Sequence, residues 1–157
     1  MSEELPLIAA IEAGGTKFVC AIGTGPHDVR DVVRIPTTTP EETLASVTRY
    51  LSSAKSKHGP FSAIGIGSFG PIDLDKTSET YGYITSTPKP GWQFTNIVPK
   101  LQDRYHVPIA WDTDVNAAVL GEYLWGAGQD TDPLIYITVG TGVGGGVLIN
   151  GQLLHGL

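Results

Sequence analysis

The fold of this chain is decided near its start by the stretch Ile8-Ala9-Ala10-Ile11-Glu12-Ala13-Gly14-Gly15-Thr16-Lys17-Phe18-Val19-Cys20-Ala21-Ile22. A glycine-rich turn separates two apolar runs. The second run is rich in β-branched and aromatic residues, which favour a strand over a helix. The stretch therefore predicts a β-hairpin. Because its turn lacks Cβ atoms, backbone N–H groups there can come close to an anion.

A second glycine turn, Gly140-Thr141-Gly142-Val143-Gly144-Gly145-Gly146, follows the strand-like run from Leu134 to Val139. It fits the dinucleotide fingerprint, but that motif needs a helix at its third glycine. Here a short apolar segment leads to Asn150-Gly151, a favoured hairpin turn, and another apolar segment. The first turn lacks the spacer of a Walker loop. We therefore interpret both turns as hairpin loops and as two halves of one nucleotide phosphate cleft.

Composition limits the class of protein. The chain has 157 residues, 41% of them hydrophobic, enough for one core or two small lobes. A net charge of −6 with scattered Lys and Arg argues against a nucleic-acid partner. No apolar run approaches the ~18 residues of a membrane span, and the acidic start lacks a basic targeting region. We expect a cytoplasmic protein without a membrane partner, in which Cys20 is a buried thiol rather than a nucleophile.

The rest of the chain predicts alternating strands and helices. Thr39 is a candidate N-cap of a helix that ends before Gly59-Pro60, with a strand before it from Val29 to Ile35. The run from Ala63 to Gly67 suits a strand in the middle of a helix-covered sheet. A long loop from 72 to 92, usually functional or disordered, separates it from later elements. These are a helix over 97–105, a strand over 108–111 and a helix over 115–125.

Asp114 is the candidate catalytic residue. It lies between a predicted strand and a predicted helix, where a carboxylate is held rigidly and can accept a hydroxyl proton during phosphoryl transfer. The alternative is that Asp112 or Asp114 only caps the helix. The glycine turns on either side of this segment favour the catalytic interpretation.

Other polar and aromatic residues leave alternatives open. Glu12, at a strand end, can reach magnesium through water, or it is a solvated acid. The tryptophans can stack on a sugar, although large aromatic residues are more often core; they are Trp92, Trp111 and Trp125. The four histidines and single cysteine have no spacing that builds a zinc set; the histidines are His27, His58, His106 and His155.

Five ordered motifs resemble the ROK (repressor, open reading frame, kinase) family, most closely its bacterial fructokinases. They are Ile11 to Lys17, Gly65 to Asp73, Thr87 to Trp92, Asp112 to Ala118 and Thr138 to Gly146. The resemblance implies an α/β fold, a ribonuclease H-like/actin-like ATPase lobe with a mixed sheet and helices on its faces. It also implies that residues 1–157 are the N-terminal lobe, that the C-terminal lobe is absent from this chain, and that ATP and hexose bind between the two lobes.

The resemblance also assigns site residues position by position. Asp114 matches the catalytic base, and Glu12 stands where the commonest family motif has Asp near Mg. The phosphate-binding positions are Gly14, Gly15, Thr16, Lys17, Gly140, Thr141, Gly142 and Gly144. The positions that shape the sugar site are Ser68, Gly70, Pro71, Thr113 and Asp114. Structural Zn and the sugar-contacting Glu and His of the family are expected only beyond residue 157.

The implied function is ATP-dependent phosphorylation of a hexose, with fructose favoured at its 6-hydroxyl. Many glucose-type members carry Asn at the positions of Lys89 and Thr113, so a ROK-type glucokinase is an alternative reading. A transcription regulator of the family is disfavoured because the first motif begins too close to Met1 for a helix-turn-helix module. A truncated sugar- or phosphate-binding lobe without turnover is a third class. A homodimer is a further expectation.

Overall fold

A computed structural model of the chain describes residues 5–140 and 142–156. The strands in these residues are β1 (Ile8–Ala13), β2 (Lys17–Gly25), β3 (Asp28–Pro36), β4 (Ala63–Ser68), β5 (Tyr83–Ile84), β6 (Thr95–Asn96), β7 (Ile109–Thr113), β8 (Leu134–Val139), β9 (Val143–Ile149) and β10 (Gln152–Leu153). The larger sheet has the order β3-β2-β1-β4-β7. Its first three strands are antiparallel, and β4 and β7 are parallel to β1. The predicted mixed sheet is confirmed.

The helices of the described residues are α1 (Pro40–His58), α2 (Val98–Tyr105) and α3 (Asp114–Trp125). The predicted cap of α1 is confirmed, because Thr39 Oγ1 accepts a hydrogen bond of 3.3 Å from the backbone N–H of Glu42. The helix ends at Gly59, whose φ of 96° is a conformation that glycine adopts without strain. None of these helices is long and apolar enough to cross a membrane.

Both predicted glycine hairpins are present. The first turn joins β1 to β2, and the second joins β8 to β9 in a smaller antiparallel sheet of order β10-β9-β8. Asn150-Gly151 makes the predicted turn between β9 and β10, and both residues have positive φ. In neither glycine turn does a helix follow the last glycine, so the dinucleotide motif is excluded as predicted.

The two faces of the larger sheet differ in the size of their side chains. On the face that α1 covers, strand residues such as Ile11, Phe18 and Ile66 are buried in the main core. Cys20 belongs to this core and is fully buried, as predicted, and burial raises the pKa of its thiol to about 12. A raised thiol pKa disfavours the reactive thiolate. On β1, β4 and β7 the opposite face, which we call the cavity face, carries mostly small side chains. The cavity face consists of Ala10, Glu12, Gly65, Gly67, Ala110 and Asp112.

The long loop from 72 to 92 is attached to the sheet rather than free of it. It contains β5, which pairs with β6 just after the loop, and Trp92 at its end is fully buried against Phe18 and Phe69. The indole N–H of Trp92 donates to Thr38 O at 2.8 Å. Trp92 therefore belongs to the core, as the alternative interpretation predicts. Trp111 is also buried and donates to the backbone, whereas Trp125 is 58% exposed.

Candidate active site

The first glycine turn is closed by its own backbone. Gly14 N donates to Lys17 O at 3.1 Å. Thr37, directly after β3, also holds the turn, since its N–H donates to Thr16 O and its hydroxyl donates to Gly14 O at 2.7 Å. A Cβ atom on Gly14 would lie 2.6 Å from Lys17 O, so this position requires glycine. Gly15 faces open space. The N–H of Gly14 is thus already used, which leaves Gly15 and Thr16 as the better donors to an anion.

The second glycine turn contains two kinds of glycine. Gly140 N donates to Gly142 O at 2.9 Å, and a Cβ atom on either residue would meet nothing within 4 Å. These two positions are open to a ligand. Gly144 lies in β9, where a Cβ atom would come 3.0 Å from the side chain of Val115, so the packing of β9 on α3 already explains it. Thr141, also predicted to bind phosphate, lies outside the described residues.

Asp114 is the first residue of α3 and directly follows β7, as predicted. The helix cap is neither Asp112 nor Asp114, so that alternative is wrong. The cap is Thr113, whose Oγ1 accepts from Asn116 N at 3.2 Å. Asp114 Oδ1 accepts from Val115 N at 2.9 Å, and the described residues give Asp114 Oδ2 no hydrogen bond. Burial raises the pKa of Asp114, against the smaller opposing effect of the Val115 N–H.

A cavity of about 740 Å³ lies between the cavity face and α3, and Glu12, Asp112 and Asp114 all line it. Glu12, Gly67 and Asp112 are opposite one another on β1, β4 and β7, whose neighbours are roughly 4.8 Å apart. A Cβ atom on Gly67 would lie 2.7 Å from Ala117 Cβ, so glycine there lets α3 approach the sheet. The fold therefore brings together two carboxylates that the sequence predicts as functional.

The described residues contain no group of three or more His, Cys, Asp or Glu side chains that could hold a metal ion. Glu12 is exposed at the cavity and is one strand away from Gly67. One or two carboxylates together with waters and substrate phosphates are the ligands that Mg²⁺ commonly takes. The Glu12 carboxylate therefore fits a magnesium ion that takes its other ligands from water and from the substrate phosphates.

The predicted sugar-site residues separate into two sets. Thr113 and Asp114 lie together at the start of α3. Ser68 is fully buried on the opposite face from the cavity, and its hydroxyl donates to Phe69 O at 2.9 Å. Gly70 and Pro71 follow, joined by a cis peptide bond, and Pro71 O accepts from Thr85 N at 2.8 Å. The Ser68 hydroxyl is therefore engaged in structure, while Pro71 shapes the loop that follows.

Three side chains at this site were not predicted from the sequence as functional. They are Asp112, Asn116 and His155. Asp112 accepts hydrogen bonds from Asn116 Nδ2 and His155 Nε2, each at 2.8 Å. The i to i+4 spacing of Asp112 and Asn116 across a helix start is a signal that could have found that pair. No local signal connects Asp112 to His155, 43 residues later, because the contact depends on how the smaller sheet packs.

A lobe of this topology, with glycine hairpins and an aspartate at a strand-to-helix junction, is what the ROK resemblance implies. Residues 8–157 match the ROK family, and the chain belongs to that family.

Two curated relatives are similar over nearly the whole chain. The fructokinase of Pediococcus pentosaceus is 47% identical over 150 residues, covering 96% of this chain and 50% of that protein. The fructokinase of Zymomonas mobilis is 45% identical over 158 residues, covering 100% of this chain and 52% of that protein. The chain spans about half the length of these relatives.

A solved structure agrees with the fold. A ROK family glucokinase from Streptomyces griseus, crystallised with glucose and AMPPNP, is 29% identical with a TM-score of 0.81, covering 96% of this chain and 47% of that one. The predicted actin-like class of fold and the resemblance to ROK sugar kinases are therefore confirmed.

Proposed function

We propose that residues 1–157 form the N-terminal lobe of an ATP-dependent hexose kinase that transfers a phosphoryl group from MgATP to the 6-hydroxyl of a sugar. The observation that carries this proposal is Asp114, a carboxylate at the start of α3 that lines the cavity and whose Oδ2 has no hydrogen bond from the described residues. The similarity to fructokinases over about half of their length supports it. Below, the whole protein means the longer chain of which this lobe is a part.

In the proposed reaction Asp114 accepts the proton of the attacking sugar hydroxyl. A carboxylate at the start of a helix is fixed in direction, and positioning supplies much of the catalysis in phosphoryl transfer. The open positions Gly15, Gly140 and Gly142 let the backbone of both turns approach the phosphates, and Lys17 adds a positive charge. The N–H groups of Gly15 and Gly142 are the better donors there, because the N–H of Gly140 already donates to Gly142 O. Thr16 and Thr141 stay predicted phosphate-binding residues of the family resemblance, as does Gly14, although its N–H already donates to Lys17 O.

Magnesium would be held beside Glu12, through water, and by the phosphates themselves. When bound, it neutralises charge on the transferred phosphoryl group. A structural zinc stays a prediction of the family resemblance, and a homodimer and a cytoplasmic location stay predictions as well.

We propose fructose as the preferred sugar. Glu12, Lys89 and Thr113 differ from the residues common in glucose-type members, and Thr113 lies directly beside the proposed base. The two fructokinases are 45% and 47% identical to this chain, against 29% for the solved glucokinase. Glucokinase activity is the alternative within the same reaction class.

The test is a coupled ADP-release assay of the purified whole protein with fructose, glucose, mannose and N-acetylglucosamine. We expect the highest kcat/KM with fructose. The same preparation carrying Asp114→Asn reveals any contaminating kinase. A clear preference for glucose would refute the sugar assignment, and no turnover with any hexose would refute the kinase itself.

A further inference from the structure

The two aspartates beside the cavity differ in how their oxygens are used. Asp112 Oδ1 accepts from Thr113 N at 2.7 Å and from Asn116 Nδ2 at 2.8 Å. Its Oδ2 lies 2.8 Å from His155 Nε2. Among the described residues, the Asp114 carboxylate has one hydrogen bond, which Oδ1 accepts from Val115 N. Asp112 is therefore fully engaged within the protein, and Asp114 is not.

The contacts of Asp112 enclose the segment that carries Asp114. Asn116 is buried in the first turn of α3, and its side-chain amide donates to Asp112 across the junction between β7 and α3. Thr113 closes the same ring, because its hydroxyl accepts from Asn116 N. Asp114 lies inside a ring of three hydrogen bonds that fixes the backbone on both sides of it.

His155 connects this ring to the smaller sheet. It follows β10, and because a carboxylate only accepts hydrogen bonds, its Nε2 carries the hydrogen toward Asp112. The side chain of His155 is 47% exposed and that of Asp112 is 21% exposed, so the bond is partly screened from water. The junction is thereby held from β7, α3 and the segment after β10 at once.

We propose that Asp112 is a positioning residue for the catalytic base Asp114, with Asn116 and His155 as its two side-chain anchors. The proposal rests on the proposed kinase function. Asp112 does not itself take the proton, because both of its oxygens are already bonded and it faces Asn116 and His155. Its role is to fix the direction of the Asp114 carboxylate, since a misplacement of 1 Å costs on the order of 10²-fold in rate.

The test compares Asp112→Ala with Asp112→Asn in the whole protein. Asparagine keeps Oδ1 as an acceptor for Thr113 N and Asn116 Nδ2, whereas alanine removes both bonds. We expect Asp112→Ala to lower kcat roughly 10- to 100-fold, with the KM for ATP and the KM for the sugar near those of the wild type. Asp112→Asn should recover most of that loss. His155→Ala should lower kcat less than Asp112→Ala does.

Asp132→Ala is the matched control. Asp132 also accepts backbone hydrogen bonds, through both oxygens from Asn150 N, but it lies near the other end of α3 and has no contact with Asp114. The kcat of the Asp132→Ala variant should equal that of the wild type. An Asp112→Ala kcat equal to wild type would overturn the proposal. So would an Asp112→Asn loss as large as that of Asp114→Asn, since Asp112 would then be the base.

Hydrogen exchange supplies a readout that does not need activity. In Asp112→Ala, amide exchange in a peptide covering residues 111–118 should become faster, and it should stay unchanged in Asp112→Asn and Asp132→Ala. Unchanged exchange in Asp112→Ala would overturn the proposal. If the whole protein phosphorylated no hexose but exchange became faster in Asp112→Ala, the hydrogen bonds of Asp112 would be shown to fix the junction of β7 and α3. The proposed function would then be refuted instead.

Discussion

At the scale of single residues, Asp114 carries the proposed chemistry, and Asp114→Asn in the whole protein tests it. Asparagine keeps the shape and the hydrogen bond from Val115 N but cannot accept a proton. We expect kcat to fall about 10²–10⁴-fold, the range of general base catalysis, with an unchanged circular dichroism spectrum. Asp103→Asn, at an exposed position on α2, is the control. Near-normal turnover of Asp114→Asn would leave the residue with a structural role alone.

The same residue gives a prediction about stability. Burial raises the pKa of Asp114 above its ordinary value of 3.8, so the folded state holds the proton more tightly than the unfolded state does. Stability therefore falls as pH rises from 3.8 through the raised pKa, and the loss is complete above that pKa. At pH 7 the Tm of Asp114→Asn in the 157-residue chain should exceed that of wild type, and the difference should disappear below pH 3.8.

Calorimetry from pH 3 to pH 8 measures the Tm of the wild-type chain and of Asp114→Asn. A lower Tm for Asp114→Asn at pH 7 would contradict the prediction. It would mean that the negative charge at the start of α3 gains more from the helix dipole than it loses by burial.

At the scale of elements, the glycines of β9 let this strand pack against the start of α3. A Cβ atom on Gly146 would lie 2.2 Å from Val115 O, and a backbone atom cannot move aside cheaply. Gly145, on the same strand, has its nearest neighbour, Tyr136 O, at 4.0 Å. Gly146→Ala should therefore destabilise the fold by about 1–3 kcal/mol. Gly145→Ala should stay within about 1 kcal/mol of wild type.

Urea unfolding of the two variants, followed by tryptophan fluorescence, measures the difference. Equal midpoints for Gly146→Ala and Gly145→Ala would contradict the packing argument.

The glycines also show where sequence reasoning reaches its limit. Asn150-Gly151, Thr39 and Pro40 act through neighbours a few residues away, so the hairpin and the α1 cap could be predicted from local rules. The prediction of phosphate binding at Gly144 could not take account of its packing partner, Val115, which is 29 positions away in the sequence. The contact exists only after α3 and the smaller sheet have packed together.

At the scale of the whole molecule, the ROK motifs predicted the class of fold, but no local pattern could predict the pairing order of β3-β2-β1-β4-β7. The order depends on contacts between residues such as Ile11 and Ile66, which are far apart in the chain. Thr37 and His155 were missed for the same reason. Hydrogen bonds between distant residues hold the first turn and the Asp112 junction, and such bonds leave no mark in a short window of sequence.

Several large apolar side chains are exposed on this lobe. They are concentrated on the smaller sheet and on the second half of α3, and include Ile135, Ile137, Val139, Val143, Leu124 and Trp125. Exposed apolar patches of this kind mark surfaces that contact another protein unit. This exposed apolar surface fits the proposal that a second lobe covers part of this one.

The 157-residue chain alone should therefore lack kinase turnover. Gly15, Gly140 and Gly142 can approach phosphates, and two of the residues that line the cavity beside Asp114, Leu124 and Trp125, are exposed in this lobe. Holding ATP and sugar in the reactive geometry can supply ~7–11 kcal/mol of the barrier, and one lobe forfeits part of it. We expect no ADP release with ATP, magnesium and fructose under conditions where the whole protein turns over. Turnover by the purified chain that Asp114→Asn abolishes would show that one lobe is sufficient.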